Sequence, residues 1–160
     1  MENSVSRPAT LNDLKKLIEA LNNENAEYVL IGGYALYAHG LYRTTTDIDI
    51  LVPSTKESAK KVIKALLVLP DKAAKDIEVS WFEEKDTIRL ADEIVVDVMF
   101  NAAGETYESL KKYIEVINID GISVKTINLE GLLLTKNTFR EKDITDKRAL
   151  QNILNEINKP

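Results

Sequence analysis

The chain has 160 residues, 44% hydrophobic and 29% charged, the ordinary balance of a globular protein with room for one core. A formal net charge of −5 disfavours broad, non-specific polyanion binding, so a nucleic-acid partner would have to be gripped locally. Cysteine is absent and His39 is the one histidine, which excludes disulfides, thiolate zinc sites and cysteine nucleophiles and leaves oxygen ligands, suited to Mg²⁺ or Mn²⁺, for any metal.

The opening "MENSVSRPATLNDLKKL" has no basic start followed by an apolar core, and no apolar run nears the roughly 20 residues of a membrane span, so a cytoplasmic protein is expected. Thr10 reads as a helix N-cap, with Leu11, Leu14, Leu17, Ile18 and Leu21 at helical spacing behind it. "AEYVLIGG" reads as a short buried strand ending in glycines, and "YALYAHG" as a helix stopping at Gly40. "TDIDILV" reads as a strand, and "TKESAKKVIKALLVL" as a helix that ends before Pro70. "IEVSWFEE", "TIRLA" and "EIVVDVMF" read as a strand meander. "GETYESLKKYIEVI" suggests a helical turn leading into an edge segment, and "GISVKTI" a short strand. A helix starts at Asn128, and "ITDKRALQNILNEI" closes the chain as a last helix. With no repeat and no long linker, the order predicts one domain over residues 1–160, of α/β or α+β class, with a mixed sheet flanked by helices.

One stretch carries chemistry. In "RTTTDIDILV", strand alternation points Asp47 and Asp49 to one face, and Thr46, Ile48 and Ile50 to the other. Two adjacent carboxylates raise each other's pKa unless a cation compensates them, and a divalent ion does so with the larger charge. A bare D-x-D pair is ordinarily a solvated one, so its neighbours matter. Gly32-Gly33 stands between a strand and a helix, where glycines let backbone N–H groups approach a phosphate. Asp97 is a lone acid inside the most apolar strand-like run, expensive there unless paired, metal-bound or facing water on an edge strand. Arg43, four residues before Asp47, matches phosphate geometry, and Thr44, Thr45 and Thr46 add hydroxyls. Tyr34, next to the glycines, could line a base or acceptor pocket. His39 at a helix end is read as structural, and Trp81 and Phe82 as core or rim.

A glycine pair, a helix, D-x-D on a strand and a third acid on a later strand: Gly32, Gly33, Asp47, Asp49 and Asp97 in this order resemble the nucleotidyltransferase superfamily with the polymerase-β-like fold. The flavour of "GGYALYAHGLYRTTTDIDILV" is similar to small prokaryotic members, the abortive-infection-toxin type and the lincosamide-modifying type. The likeness runs from about Tyr28 to the final helix, and its tail "ISVKTINLEGLLLTKNTFREKDITDKRAL" resembles a family segment with a helix-borne lysine followed by a "KD..D" run.

That resemblance implies a metal-dependent transfer of an NMP from an NTP to an acceptor hydroxyl, with release of pyrophosphate. Asp47 and Asp49 would hold Mg²⁺ (or Mn²⁺), and Asp97 would help bind a second ion and activate the acceptor. Gly32, Gly33, Arg43, Thr46 and Lys136 would bind the nucleotide, with Asp146 supporting the site or orienting Lys136. Arg140, Glu141, Lys142 and Lys147 read as a solvated loop and helix start. The implied acceptors are tRNA, a protein or a small-molecule antibiotic. The resemblance also leaves room for a toxin with an antitoxin partner, for a homodimer that completes the cleft, and for a catalytically silent nucleotide-binding or protein-interaction module.

Overall fold

The computed structural model describes residues 5–42, 44–138 and 140–159. Helix α1 (Leu11–Asn23) begins as its sequence asks. The Thr10 hydroxyl accepts from the Asp13 N–H at 3.3 Å, and Asp13 Oδ2 accepts from the Thr10 N–H at 2.7 Å, a reciprocal capping box. Arg7 donates to the same carboxylate at 2.7 Å, and this hydrogen bond holds the Asp13 carboxyl down to about 2. Leu14, Leu17, Ile18 and Leu21 are fully buried along one face.

Strand β1 (Val29–Ile31) runs without a gap into α2 (Gly32–Ala38), and the chain returns as β2 (Ile48–Leu51). Helix α3 (Lys56–Leu66) is capped by the Thr55 hydroxyl, which accepts from the Ser58 N–H. A 3-10 turn (Ala73–Asp76), the short helix α4 (Trp81–Glu84), and strands β3 (Thr87–Ala91) and β4 (Val95–Met99) follow. Then come α5 (Tyr107–Leu110), β5 (Ile114–Ile119), β6 (Ile122–Ile127), α6 (Leu129–Leu134) and α7 (Glu141–Ile157). Asn128 caps α6 by accepting from the Gly131 N–H, at the position where the sequence starts a helix.

The six strands form one mixed sheet in the order β3-β4-β2-β1-β6-β5. Strands β2 and β4 are parallel neighbours, as are β1 and β6, while β1–β2, β3–β4 and β5–β6 are antiparallel. Asp97 therefore lies on a central strand, not on an edge. Ile48, Ile50, Val96, Val98, Ile88 and Leu90 are buried, and the residues alternating with them face the other way. No helix among the described residues is long and apolar enough to cross a membrane.

One expected strand is absent: "IEVSWFEE" forms a turn and α4. Ahead of it the chain is held by the Asp92 carboxylate, which accepts from the N–H groups of Asp71 and Ala73 at 2.9 Å and from that of its neighbour Glu93 at 2.7 Å. Phe82 is then buried against Phe100, with ring centroids 4.8 Å apart.

Candidate active site

The register across three strands builds the site. Ile31 pairs with Asp49, Asp49 with Asp97, and Asp97 with Arg89. Cross-strand partners share a face, so Asp49, Asp97 and Arg89 stand in a row, with Asp47 one strand position pair before Asp49 on the same side. Gly32 follows Ile31 at the end of the row. Its φ of +72° suits glycine, and a Cβ there would lie 2.2 Å from Asp49 Oδ2. A Cβ on Gly33 would lie 2.4 Å from Thr45 Oγ1. Both glycines thus let the segment carrying the acids pack directly against the start of α2.

The carboxylates are electrostatically strained. Burial, then the neighbouring charges of Asp97 and Asp47, push the Asp49 carboxyl up to about 7 against an opposing pull from Lys136. Asp97 is also raised, by burial, although Arg89 and a hydrogen bond with Asp49 act in the other direction. Arg89 compensates part of this charge. Its Nη1 donates to Asp97 Oδ2 at 3.0 Å and Oδ1 at 3.2 Å, and its Nη2 lies 3.1 Å from Asp47 Oδ2. Thr46 Oγ1 donates to the remaining Asp47 oxygen at 3.2 Å.

On the opposite wall, Lys136 is 5% exposed in the turn after α6. Its Nζ lies 3.0 Å from Asp146 Oδ2 and 3.5 Å from Asp143 Oδ1, both on α7. Burial works against ionised Asp143, yet hydrogen bonds from Arg140 and Thr138 and the Lys136 charge hold its carboxyl below the ordinary range. These groups surround a cleft of about 180 Å³ lined by Gly32, Gly33, the three acids, Arg89, Lys136, Arg140 and Lys142. Around Lys136 and Asp49 the cleft continues into a second hollow of about 210 Å³, which reaches Asn101, Thr135 and Thr138. A larger hollow of about 490 Å³ lies between the end of α1 and the β5–β6 hairpin; Glu19 and Lys125 are the charged residues that line it, and it has no such row of acids.

The structure brings Gly32, Gly33, Thr46, Asp47, Asp49, Asp97 and Lys136 to one cleft, with Asp146 against Lys136. Arg43 lies outside the described residues. Tyr34 does not line the cleft: its ring is buried and its hydroxyl donates to the Ala9 carbonyl at 2.7 Å, so it anchors the N-terminal segment to α2. His39 Nε2 donates to the Ile127 carbonyl at 2.7 Å, tying the end of α2 to β6. Arg89, Arg140 and Lys142 line the cleft unforeseen. The alternation in "TIRLA" marks Arg89 as the polar side of a strand, but its partner is set by a register that the sequence does not display.

The donor set fits a hard divalent cation: Asp49 and Asp97 on adjacent parallel strands and Asp47 just before the first of them, with Asp49 driven toward protonation by burial and by its acidic neighbours. The side chains have yet to converge for it. Among the described residues no group of three acidic or histidine side chains meets at metal-binding spacing, and Asp47 and Asp97 are turned to Arg89.

A family model described as "nucleotidyltransferase of unknown function" matches residues 9–159. Among solved structures, the fold is similar to a Thermotoga maritima protein provisionally assigned as a nucleotidyltransferase, at a TM-score of 0.55 and 19% identity, covering 91% of this chain and 92% of that one. No curated protein matches the chain.

Proposed function

The chain belongs to this DUF6036 family of nucleotidyltransferases and has its fold, and from that premise we propose that it transfers an NMP from an NTP to an acceptor hydroxyl in a Mg²⁺- or Mn²⁺-dependent reaction. The observation that supports this reading is the cleft itself. Three carboxylates share one floor, and four cationic side chains, Arg89, Lys136, Arg140 and Lys142, line the same space. A triphosphate with its counter-ion suits that balance of charge, whereas an apolar ligand does not.

In this reading Asp47, Asp49 and Asp97 hold the metal. When bound, the metal supplies neutralisation and orientation of phosphate oxygens. Lys136 is fixed in place by Asp146 and Asp143, and with Arg140 and Lys142 it takes up the remaining charge of the triphosphate. Gly32 and Gly33 line the cleft and would offer backbone N–H groups to the phosphates, with the Thr46 hydroxyl alongside. Asp97, on the strand beside Asp49, is the group that would accept the proton of the acceptor hydroxyl. The acceptor oxygen then bonds to the α-phosphorus, and the bond from that phosphorus to the bridging oxygen breaks as pyrophosphate leaves.

Calorimetry of each NTP with and without Mg²⁺, on the wild type and Asp47→Asn, tests the site. Binding that needs Mg²⁺ and disappears in the variant is expected; equal binding by both proteins refutes the assignment. Labelled NTP offered with tRNA, protein extracts and small hydroxylated antibiotics then separates the acceptor classes by which one retains label.

A further inference from the structure

We propose that Arg89 is an internal counter-ion that competes with the divalent cation for Asp47 and Asp97, so that loading the site requires its guanidinium to leave. The inference rests on the metal-dependent reading above and adds a control element to it. Arg89 reaches three oxygens of the carboxylates that would hold the cation: Asp97 Oδ1 at 3.2 Å, Asp97 Oδ2 at 3.0 Å and Asp47 Oδ2 at 3.1 Å. Each oxygen has lone pairs to spare, but a guanidinium and a divalent ion held on the same oxygens would stand a few ångströms apart with like charge. One therefore excludes the other.

The fold makes this exchange feasible. Arg89 is placed opposite Asp97 by the β3–β4 register, so its backbone is fixed while its side chain can swing. That side chain is 61% exposed, so little packing is lost when it moves. It also has somewhere to go. Arg89, Asp47 and Thr46 form a shared wall between the cleft and a groove of about 360 Å³ lined by Val5, Arg7, Pro8 and Val95. Holding the acids with a tethered cation keeps their mutual repulsion in check and sets a threshold for metal entry. A nucleotide that brings its own metal adds the binding energy needed to pass that threshold.

The test is Mn²⁺ binding to the nucleotide-free protein, read by the loss of free-ion electron spin resonance signal, for wild type, Arg89→Ala, Arg89→Lys and Asp47→Asn. Removing two exposed ion pairs is expected to tighten Mn²⁺ binding roughly three- to tenfold in Arg89→Ala. Arg89→Lys should fall between, because an ammonium cannot fork across both carboxylates. Circular dichroism confirms that the variants are folded. Binding by the wild type that is unchanged or weaker in Arg89→Ala overturns the counter-ion role while leaving the metal site standing. No Mn²⁺ binding by either protein overturns both, and Asp47→Asn shows whether the ion measured is the one in the cleft.

Discussion

At the scale of single residues, Asp49 is where the fold gives up stability to position charge. Its carboxyl is raised from 3.8 to about 7, chiefly by burial. Between those values the folded state holds more protons than the unfolded chain, so stability falls as pH rises from about 4 to about 7 and the full penalty remains above. Asp49→Asn removes the charge and keeps the shape. The variant should match the wild type near pH 4 and exceed it at pH 8 by on the order of 2 kcal/mol, since Asp97 shares part of the effect. Urea denaturation of the metal-free proteins at the two pH values measures the difference. Asp13, held at about 2 by Arg7, titrates below this window, and its contribution is lost only as pH falls further. A difference between variant and wild type that does not grow with pH would show that Asp49 is ionised throughout and that burial does not govern it.

At the scale of elements, the join between α6 and α7 rests on ions more than on apolar contact. The buried side chains of α7 are Asp143, Asp146 and Leu150, and two of these three face Lys136. Lys136→Met keeps most of the volume and strips the counter-charge from both acids. Two buried carboxylates lose the cation they share, and a cost of roughly 3 kcal/mol is expected. The urea midpoint of the variant reports it; a change below about 0.5 kcal/mol would mean that water already screens the pair. Elements with their own end signals were legible in the sequence. Thr10 and Asn128 cap helices where expected, and "TIRLA" is β3 from its first residue to its last. "IEVSWFEE" misled because Ile77, Val79 and Trp81 alternate as a strand does. The segment instead closes local turns, with the N–H groups of Trp81, Phe82 and Glu83 donating to the carbonyls of Glu78, Val79 and Ser80, and the chain ahead of it is pinned at Asp71 and Ala73 by Asp92, a residue far along the chain.

At the scale of the whole molecule, the cleft joins parts that are distant in sequence: acids from β2 and β4 on one side, and the α6–α7 turn on the other. The acids could be read from spacing because each stands out within its own strand. The cation lining could not. Arg89 depends on strand register, and Arg140 and Lys142 looked like any charged loop until α7 folded back over the sheet. Tyr34 neighbours the glycines in sequence, yet the fold turns its hydroxyl to the Ala9 carbonyl. This division also predicts unequal mobility. Strands β2 and β4 are neighbours in the interior of the sheet and bury Ile48, Ile50, Val96 and Val98 completely, whereas α7 is docked by one fully buried leucine and two acids. A helix so attached opens at a lower free energy than the sheet. In hydrogen exchange, α7 amides should exchange at least about tenfold faster than those of β2 and β4, and Leu150→Ala, which removes the apolar anchor, should speed α7 further. Exchange of α7 in step with β2 would mean that the helix leaves only when the whole protein unfolds. If the two rates separate, Lys136 and Arg140 ride on a wall that can open without the floor, and addition of Mg²⁺ with the NTP that binds should slow α7 more than it slows the strands.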